Sequence, residues 1–356
     1  MMQFTAPIPA RSFGLCSDRS ILGFAAGANC PHGVIPELDP GHVFDPVTFE
    51  SIRMWWEAAD TSAPLYISGP TGCGKTSTVL QFLARVHAPA VVYTCRRRMD
   101  KQDLVGAWGV DSATGNFRWY DGPATLAWRH GLVLVINEFT TAPAEVWVSA
   151  NDLLEGASLV NERTGEVIPR HPNTRVIITD NCPAGCAGDG EGIYVARERQ
   201  DASVADRFWH VAVGYMGRER EAMALLAACS DCSGAIGAEL LDRIVGRALD
   251  FAAATRDLAA RPPAQDSWGA PREHAISTRV LIRFTRTLIG LIEARMALGG
   301  AAAGRVLSDP VGRALDLAIA NGCHETVRHT LHQLAQFCFA TLTIPAKGSQ
   351  ERRPAP

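Results

Sequence analysis

Apolar and polar positions fall into two regimes along this chain. Between residues 51 and 217, five short apolar runs alternate with stretches of helical periodicity: 65–68 (LYIS), 90–95 (AVVYTC), 132–136 (LVLVI), 175–179 (RVIIT) and 210–213 (HVAV). The third is apolar throughout, the pattern of a strand buried on both faces of a parallel sheet. Strands separated by helical segments predict a doubly wound α/β domain over 51–217, a fold that binds ligands at the carboxyl ends of its strands. Just ahead of the first strand, Phe49, Ile52, Trp55 and Trp56 recur at helical spacing and predict an amphipathic helix over 48–59.

Beyond Tyr215 the strand signals stop. Helical periodicity in Ala-, Leu- and Arg-rich sequence covers 218–260, 276–299 and 309–342, interrupted by RPPAQDSWGAP (261–271) and GGAAAG (299–304). A separate all-helical domain over 218–345 is expected. Residues 1–50, rich in Pro, Gly and short apolar runs, predict a loop-rich arm, and 346–356 a disordered polar tail.

Composition narrows the class of partner. Across 356 residues, 47% hydrophobic and 20% charged content suffices for a large core divided among two or three domains. A net charge of -3 gives no basic footprint for specific nucleic-acid binding or an anionic membrane. The N-terminus lacks a basic segment followed by an apolar core, and no window is apolar over a bilayer-spanning length, so a cytoplasmic protein is expected. Its ten cysteines then read as reduced, mostly small core residues. Cys182 with Cys186, and Cys229 with Cys232, are weighed as zinc ligands and set aside. The first spacing is loose, and the second pair sits at a helix edge, where it merely shares a face. Cys323, His324, His329 and His332 would lie on different faces of a helix.

The chemistry centres on the turn after the first strand. Gly69-Pro70-Thr71-Gly72-Cys73-Gly74-Lys75-Thr76 satisfies G-x-x-x-x-G-K-[ST], with a strand before it and an apolar helical run after it. Glycines let the backbone curl its N–H groups inward, the helix adds its positive dipole end, and Lys75 reaches the β- and γ-phosphates. Thr76 offers its hydroxyl to Mg²⁺. The third strand ends in Asn137-Glu138, where a nucleotide hydrolase of this kind usually carries Asp-Glu, the Asp holding the metal's water shell and the Glu polarising the attacking water. Asn137 accepts a hydrogen bond from a metal-bound water but adds no charge. The fourth strand ends in Thr179-Asp180-Asn181, with Asn181 either orienting the lytic water or capping its loop. Arg207 either reaches the nucleotide of a neighbouring subunit or pairs with Asp206 or Asp201. Arg279, in the first turn of a later helix, is a further cation for the phosphates.

In this order the pieces resemble an AAA+ ATPase. NFRWYDGP (116–123) running to Gly131, then Leu153-Leu154-Glu155-Gly156, RTGEVI (163–168) and HPN (171–173), resemble the MoxR clade. Within it the chain is most similar to the CobS-type ATPase subunit of aerobic cobaltochelatase, through Phe13-Gly14-Leu15, PELDPGHVFD (36–45), DLVG (103–106) and NGC (321–323). The resemblance implies a P-loop NTPase core, a five-stranded parallel sheet between helices, followed by an all-helical lid. It also implies ATP and Mg²⁺ as cofactors, a hexameric homo-oligomeric ring, and a partner protein carrying a von Willebrand A domain. By the same resemblance Gly69, Pro70, Thr71, Gly72, Cys73, Gly74, Lys75, Thr76 and Ser77 surround the nucleotide. Glu138 is then the Walker B glutamate, Asn181 sensor 1, Arg207 an arginine finger acting in trans and Arg279 sensor 2. The work driven ranges from cobalt insertion into a corrin to chaperone-like remodelling. The departure at Asn137 adds the reading of a ring that binds ATP and hydrolyses it slowly or negligibly.

Overall fold

The computed structural model describes residues 4–14, 19–26, 31–185, 194, 197–232, 236–260, 274–298 and 308–343. Leu15, Cys186, both helix-breaking segments and the tail from 346 lie outside the described residues. The chain divides into two compact units, Met1–Gly214 and Tyr215–Pro356.

In the first unit, β1 (Phe4–Pro9) and β2 (Ser20–Phe24) form an antiparallel pair, and α1 (Pro46–Trp56) precedes β3 (Leu65–Ser68). There follow α2 (Lys75–Arg85), β4 (Ala90–Thr94) and α3 (Lys101–Val105). A hairpin of β5 (Gly106–Val110) and β6 (Phe117–Asp121) leads to α4 (Pro123–His130) and β7 (Val133–Asn137). Two short helices, α5 (Ala144–Ser149) and α6 (Asn151–Leu154), precede a hairpin of β8 (Leu159–Asn161) and β9 (Glu166–Ile168). Finally come β10 (Arg175–Asp180), α7 (Ala202–Ala205) and β11 (Trp209–Ala212). The main sheet has the order β11-β3-β10-β7-β4, every pair parallel. The expected five-stranded parallel sheet between helices, followed by a helical region, is what the chain forms.

Strand alternation sends residues to two separate cores. Leu65, Ile67, Val133, Val135 and Ile177 pack with α1 and α2, whereas Tyr66, Leu134, Ile136, Val176 and Ile178 pack on the opposite face with Trp128, Phe139 and Trp147. Three buried indoles keep their N–H satisfied: Trp55 donates to the Ala63 carbonyl at 2.9 Å, Trp56 to Leu22 at 2.7 Å and Trp128 to Ala157 at 2.8 Å. Helix α1 starts where Asp45 accepts from the Thr48 amide at 2.9 Å, with Pro46 following the cap.

The N-terminal segment, expected to be loop-rich, contains the β1–β2 pair, which its prolines hid. It also joins the sheet edge, where Val34 and Ala90 exchange both backbone hydrogen bonds, at 3.1 and 2.9 Å. Residues 37–42 lie along α2. Gln81 accepts from the Asp39 amide and donates to the Glu37 carbonyl, both at 2.9 Å. Arg85 donates to the Asp39 carbonyl at 2.9 Å and to Ser12 at 2.8 Å, with its guanidinium 5.0 Å from the centre of the Phe44 ring.

The second unit is helical: α8 (Arg218–Ala228), α9 (Ala238–Ala259), α10 (Thr278–Leu298), α11 (Pro310–Ala318) and α12 (Glu325–Phe339). Its centre is the ring sequence Phe251, Phe284 and Phe339, each neighbouring pair 5.7 Å apart. Buried Glu221 pairs bidentately with Arg256 at 2.8 and 2.7 Å and accepts from Thr278 at 2.6 Å, a polar tie with its hydrogen bonds made. Among the described residues, no helix is long and apolar enough to cross a membrane.

Trp56 is 1% exposed and meets Phe82 edge to face at 5.4 Å. Trp56→Ala should therefore destabilise the first unit by about 3–5 kcal/mol in urea unfolding, and Trp56→Phe by distinctly less.

Candidate active site

Parallel register brings the carboxyl ends of β3, β7 and β10 to one edge, pairing Ser68 with Asp180 and Asn137 with Thr179. The chain leaves β3 through Gly69, whose φ is 158°, and turns through Gly72 at 71° and Gly74 at 97° into α2. A Cβ on Gly69 would sit 2.0 Å from the Val213 carbonyl oxygen, so that position requires glycine for contact as well as conformation. Gly74 carries no side chain to compete for the first amides of α2, the arrangement in which helix N-termini take up phosphate.

Lys75 is 8% exposed, and its ammonium donates to the Gly69 carbonyl at 2.7 Å, Pro70 at 2.9 Å and Asn181 Oδ1 at 2.9 Å. The ammonium is thus held inside the loop and tied to the end of β10. Thr76, the next residue, lies 3.3 Å from both Asn137 Oδ1 and Thr179 Oγ1, while Thr179 donates to Asn137 Oδ1 at 2.7 Å. Cys73 is buried, Thr71 and Ser77 are exposed, and Pro70 is half-buried. The Thr71 amide donates to the Tyr194 hydroxyl at 2.9 Å.

Asp180 organises the neighbouring turn. Its buried carboxylate accepts from the Thr140 amide at 2.6 Å, the Thr140 hydroxyl at 3.0 Å, and the amides of Asn181 and Cys182 at 2.6 and 3.1 Å. Glu138 begins that turn with left-handed backbone, φ 60° and ψ 41°, a conformation few non-glycine residues adopt outside functional sites. Its carboxylate pairs with Arg197. Burial works against the charge on Arg197, but its hydrogen bond to Glu138 and the nearby Asp180 and Glu138 charges outweigh it and raise the guanidinium pKa.

Of the residues expected at the site, Lys75, Thr76, Asn137 and Asn181 are joined by direct contacts, and Glu138 follows Asn137 at the same edge. Arg207 is placed elsewhere: it donates to Glu155 Oε1 from Nε at 3.1 Å and Nη2 at 2.7 Å, and to the Ser203 carbonyl. Its pairing is with Glu155, not with Asp206 or Asp201. Arg279 is exposed at the start of α10 in the second unit. Thr179 and Arg197 entered no earlier assignment. The first needed the β7–β10 register, and the second sits in the aperiodic charged stretch ARERQD. His42 was also missed. It stands 3.4 Å from the Ser77 hydroxyl, and its Nε2 is buried without a partner.

Residues 64–208 match the family model of the AAA domain, dynein-related subfamily. That stretch of the chain is similar to an AAA domain. Curated proteins similar to it include CbbQ of Hydrogenophilus thermoluteolus, 29% identical over 37% of this chain and 49% of that protein. NorQ of Paracoccus denitrificans is 30% identical over 37% and 48%. The aerobic cobaltochelatase subunit CobS of a Sinorhizobium species is 25% identical over 65% and 69%. The chain spans about half the length of the first two relatives. The resemblance drawn from the motifs, to MoxR-clade AAA+ ATPases, is borne out by these matches.

Gly69→Ala should lose binding of a fluorescent ATP analogue and melt at lower temperature, whereas Gly185→Ala, with open space at its Cβ, should do neither. His42 has its pKa lowered to about 4, by burial first and then by Arg85, against a smaller opposing pull from Asp39. Folded His42 therefore stays neutral while the unfolded imidazole takes up a proton below about 6.5. Stability should fall as pH drops from about 6.5 towards 4, and in thermal melts His42→Gln should flatten that decline.

Proposed function

We propose that this chain is an ATP-hydrolysing AAA+ subunit that works in a ring, hexameric by its resemblance, to drive a partner complex. The observation that carries this reading is the joining of Lys75, Asn181, Thr76 and Asn137 at one sheet edge, with Glu138 next in the chain. Lys75 and the loop amides from Gly69 to Ser77 would grip the β- and γ-phosphates of ATP, and binding would exchange the carbonyl acceptors of Lys75 for phosphate oxygens. Asn181, already within hydrogen-bond reach of Lys75, would orient the attacking water near the γ-phosphate. Glu138 would take that water's proton, the general-base role.

Thr76, Asn137 and Thr179 present neutral oxygens within 3.3 Å of one another, a donor set that suits the water shell of a hard cation such as Mg²⁺. Bound there, Mg²⁺ would neutralise charge on the β- and γ-phosphates. Among the described residues, half-buried Arg207 pairs with exposed Glu155 and makes no hydrogen bond to the chain's own Lys75 cluster, which suits an arginine finger serving a neighbouring subunit. Arg279 would serve as sensor 2. The name of the cobaltochelatase relative supports cobalt insertion into a corrin as one task, and a partner with a von Willebrand A domain fits the same resemblance.

One observation favours a slow switch over a fast motor: Asn137 supplies no charge, and its Oδ1 already accepts from Thr179 at 2.7 Å. A ring that binds ATP for assembly and seldom hydrolyses it would use the same contacts.

Glu138→Gln should lower Mg²⁺-dependent phosphate release at least about 100-fold while leaving binding of an ATP analogue intact. Equal turnover in the variant would end the assignment of Glu138 as base. Asn137→Asp should raise turnover about tenfold, equivalent to about 1.4 kcal/mol at the barrier, and lower the Mg²⁺ concentration needed for half-maximal rate. An unchanged rate would discount the slow-switch reading.

A further inference from the structure

Arg197 has no part in the family assignments above, yet it holds the carboxylate on which hydrolysis would depend. Its Nη2 donates to Glu138 Oε2, its Nη1 donates to the Thr141 hydroxyl at 2.5 Å, and Asp180 Oδ1 lies 3.7 Å from Nη1. The two partners differ in freedom. The Arg197 side chain is 7% exposed, whereas that of Glu138 is 42% exposed. Backbone contacts fix the segment that delivers Arg197: the Glu198 amide donates to the Thr140 carbonyl at 2.8 Å, and the Gln200 amide to Ala184 at 3.1 Å. Arg197 would keep Asp180 and Thr141 if Glu138 swung away, so Glu138 is the member of the pair that can move. The ion pair is also superfluous as a fastener, because these backbone bonds already tie 198–200 to the turn and to the loop after β10.

A carboxylate oxygen that accepts from a buried guanidinium is a poorer acceptor for the hydrogen of an attacking water. We propose that Arg197 is a positioning residue for ATP hydrolysis, a brake that competes with the attacking water for the Glu138 carboxylate. The proposal rests on the reading of Glu138 as the hydrolytic base. It makes the charge pair an intrinsic limit on turnover, separate from the missing carboxylate at Asn137. Events that draw Glu138 off Arg197 would accelerate hydrolysis without altering the phosphate loop.

The test is steady-state hydrolysis by the full chain with Mg²⁺, beside affinity for a fluorescent ATP analogue. Arg197→Ala should raise kcat about five-fold, the factor given by about 1 kcal/mol at the barrier, with KM and analogue affinity changed less than about two-fold. Arg197→Lys should return kcat towards the unmodified value, and Arg197→Ala combined with Glu138→Gln should be inactive. A merely structural contact would lower kcat on removal. Should Arg197→Ala fail to fold, Arg197→Gln, which keeps much of the side-chain length without the charge, should raise kcat in its place. An active unmodified protein whose foldable variants turn over no faster overturns the brake alone. Silence of both the unmodified protein and the variants overturns the hydrolytic reading and the brake with it. A silent unmodified protein beside an active Arg197→Ala supports both.

Discussion

The buried carboxylate of Asp180 is the interaction on which the geometry of the site rests. It is 1% exposed and accepts four hydrogen bonds, three of them from backbone amides. Those donors lie on two separate strand exits, β7 and β10, so one charge ties the turn carrying Glu138 to the residue carrying Asn181. A carboxylate out of water is tolerable because its acceptor capacity is filled by donors that would otherwise be orphaned in the same interior. Beside it the two exits are joined by the sheet ladder, by the Thr179 hydroxyl on Asn137 Oδ1 at 2.7 Å, and by the backbone bonds of Glu198 and Gln200.

Around that hub the sheet acts as a ruler. Strands β3, β7 and β10 run parallel, so chemistry placed at the end of each arrives at the same height without a long loop. The helix after β3 extends the construction outward. Its first turn carries Lys75 and Thr76, and its later turns bind the N-terminal segment through Gln81 and Arg85.

Much of this was legible in the residues because each signal had a local physical cause. Runs such as LVLVI betray strands covered on both faces, and the glycines of the phosphate loop announce backbone that no side chain permits. Lys75, Thr76 and Asn181 followed from position relative to those strands. The β1–β2 pair stayed hidden because Pro7 and Pro9 argue against a strand while tertiary packing pays no heed to that preference. Thr179 became meaningful only through its register opposite Asn137, a long-range fact with no local trace. The same holds for Arg197, which meets Glu138 across 59 positions of chain. The partner of Arg207 was misjudged for a related reason: the nearest acids in sequence were weighed, and the one used, Glu155, stands 52 positions away.

The clasp of residues 37–44 on α2 bears on how the chain tolerates shortening. Phe13, Phe44, Phe49 and Phe82 form one aromatic cluster, and Arg85 caps it from the same helix that begins with Lys75. Cutting the chain ahead of Pro46 would remove Phe13 and Phe44 together, take the acceptors of Arg85 and Gln81 at residues 12, 37 and 39, and uncover one side of Phe82. A truncated protein would then report damage to its nucleotide helix, although every residue of the phosphate loop was still in place.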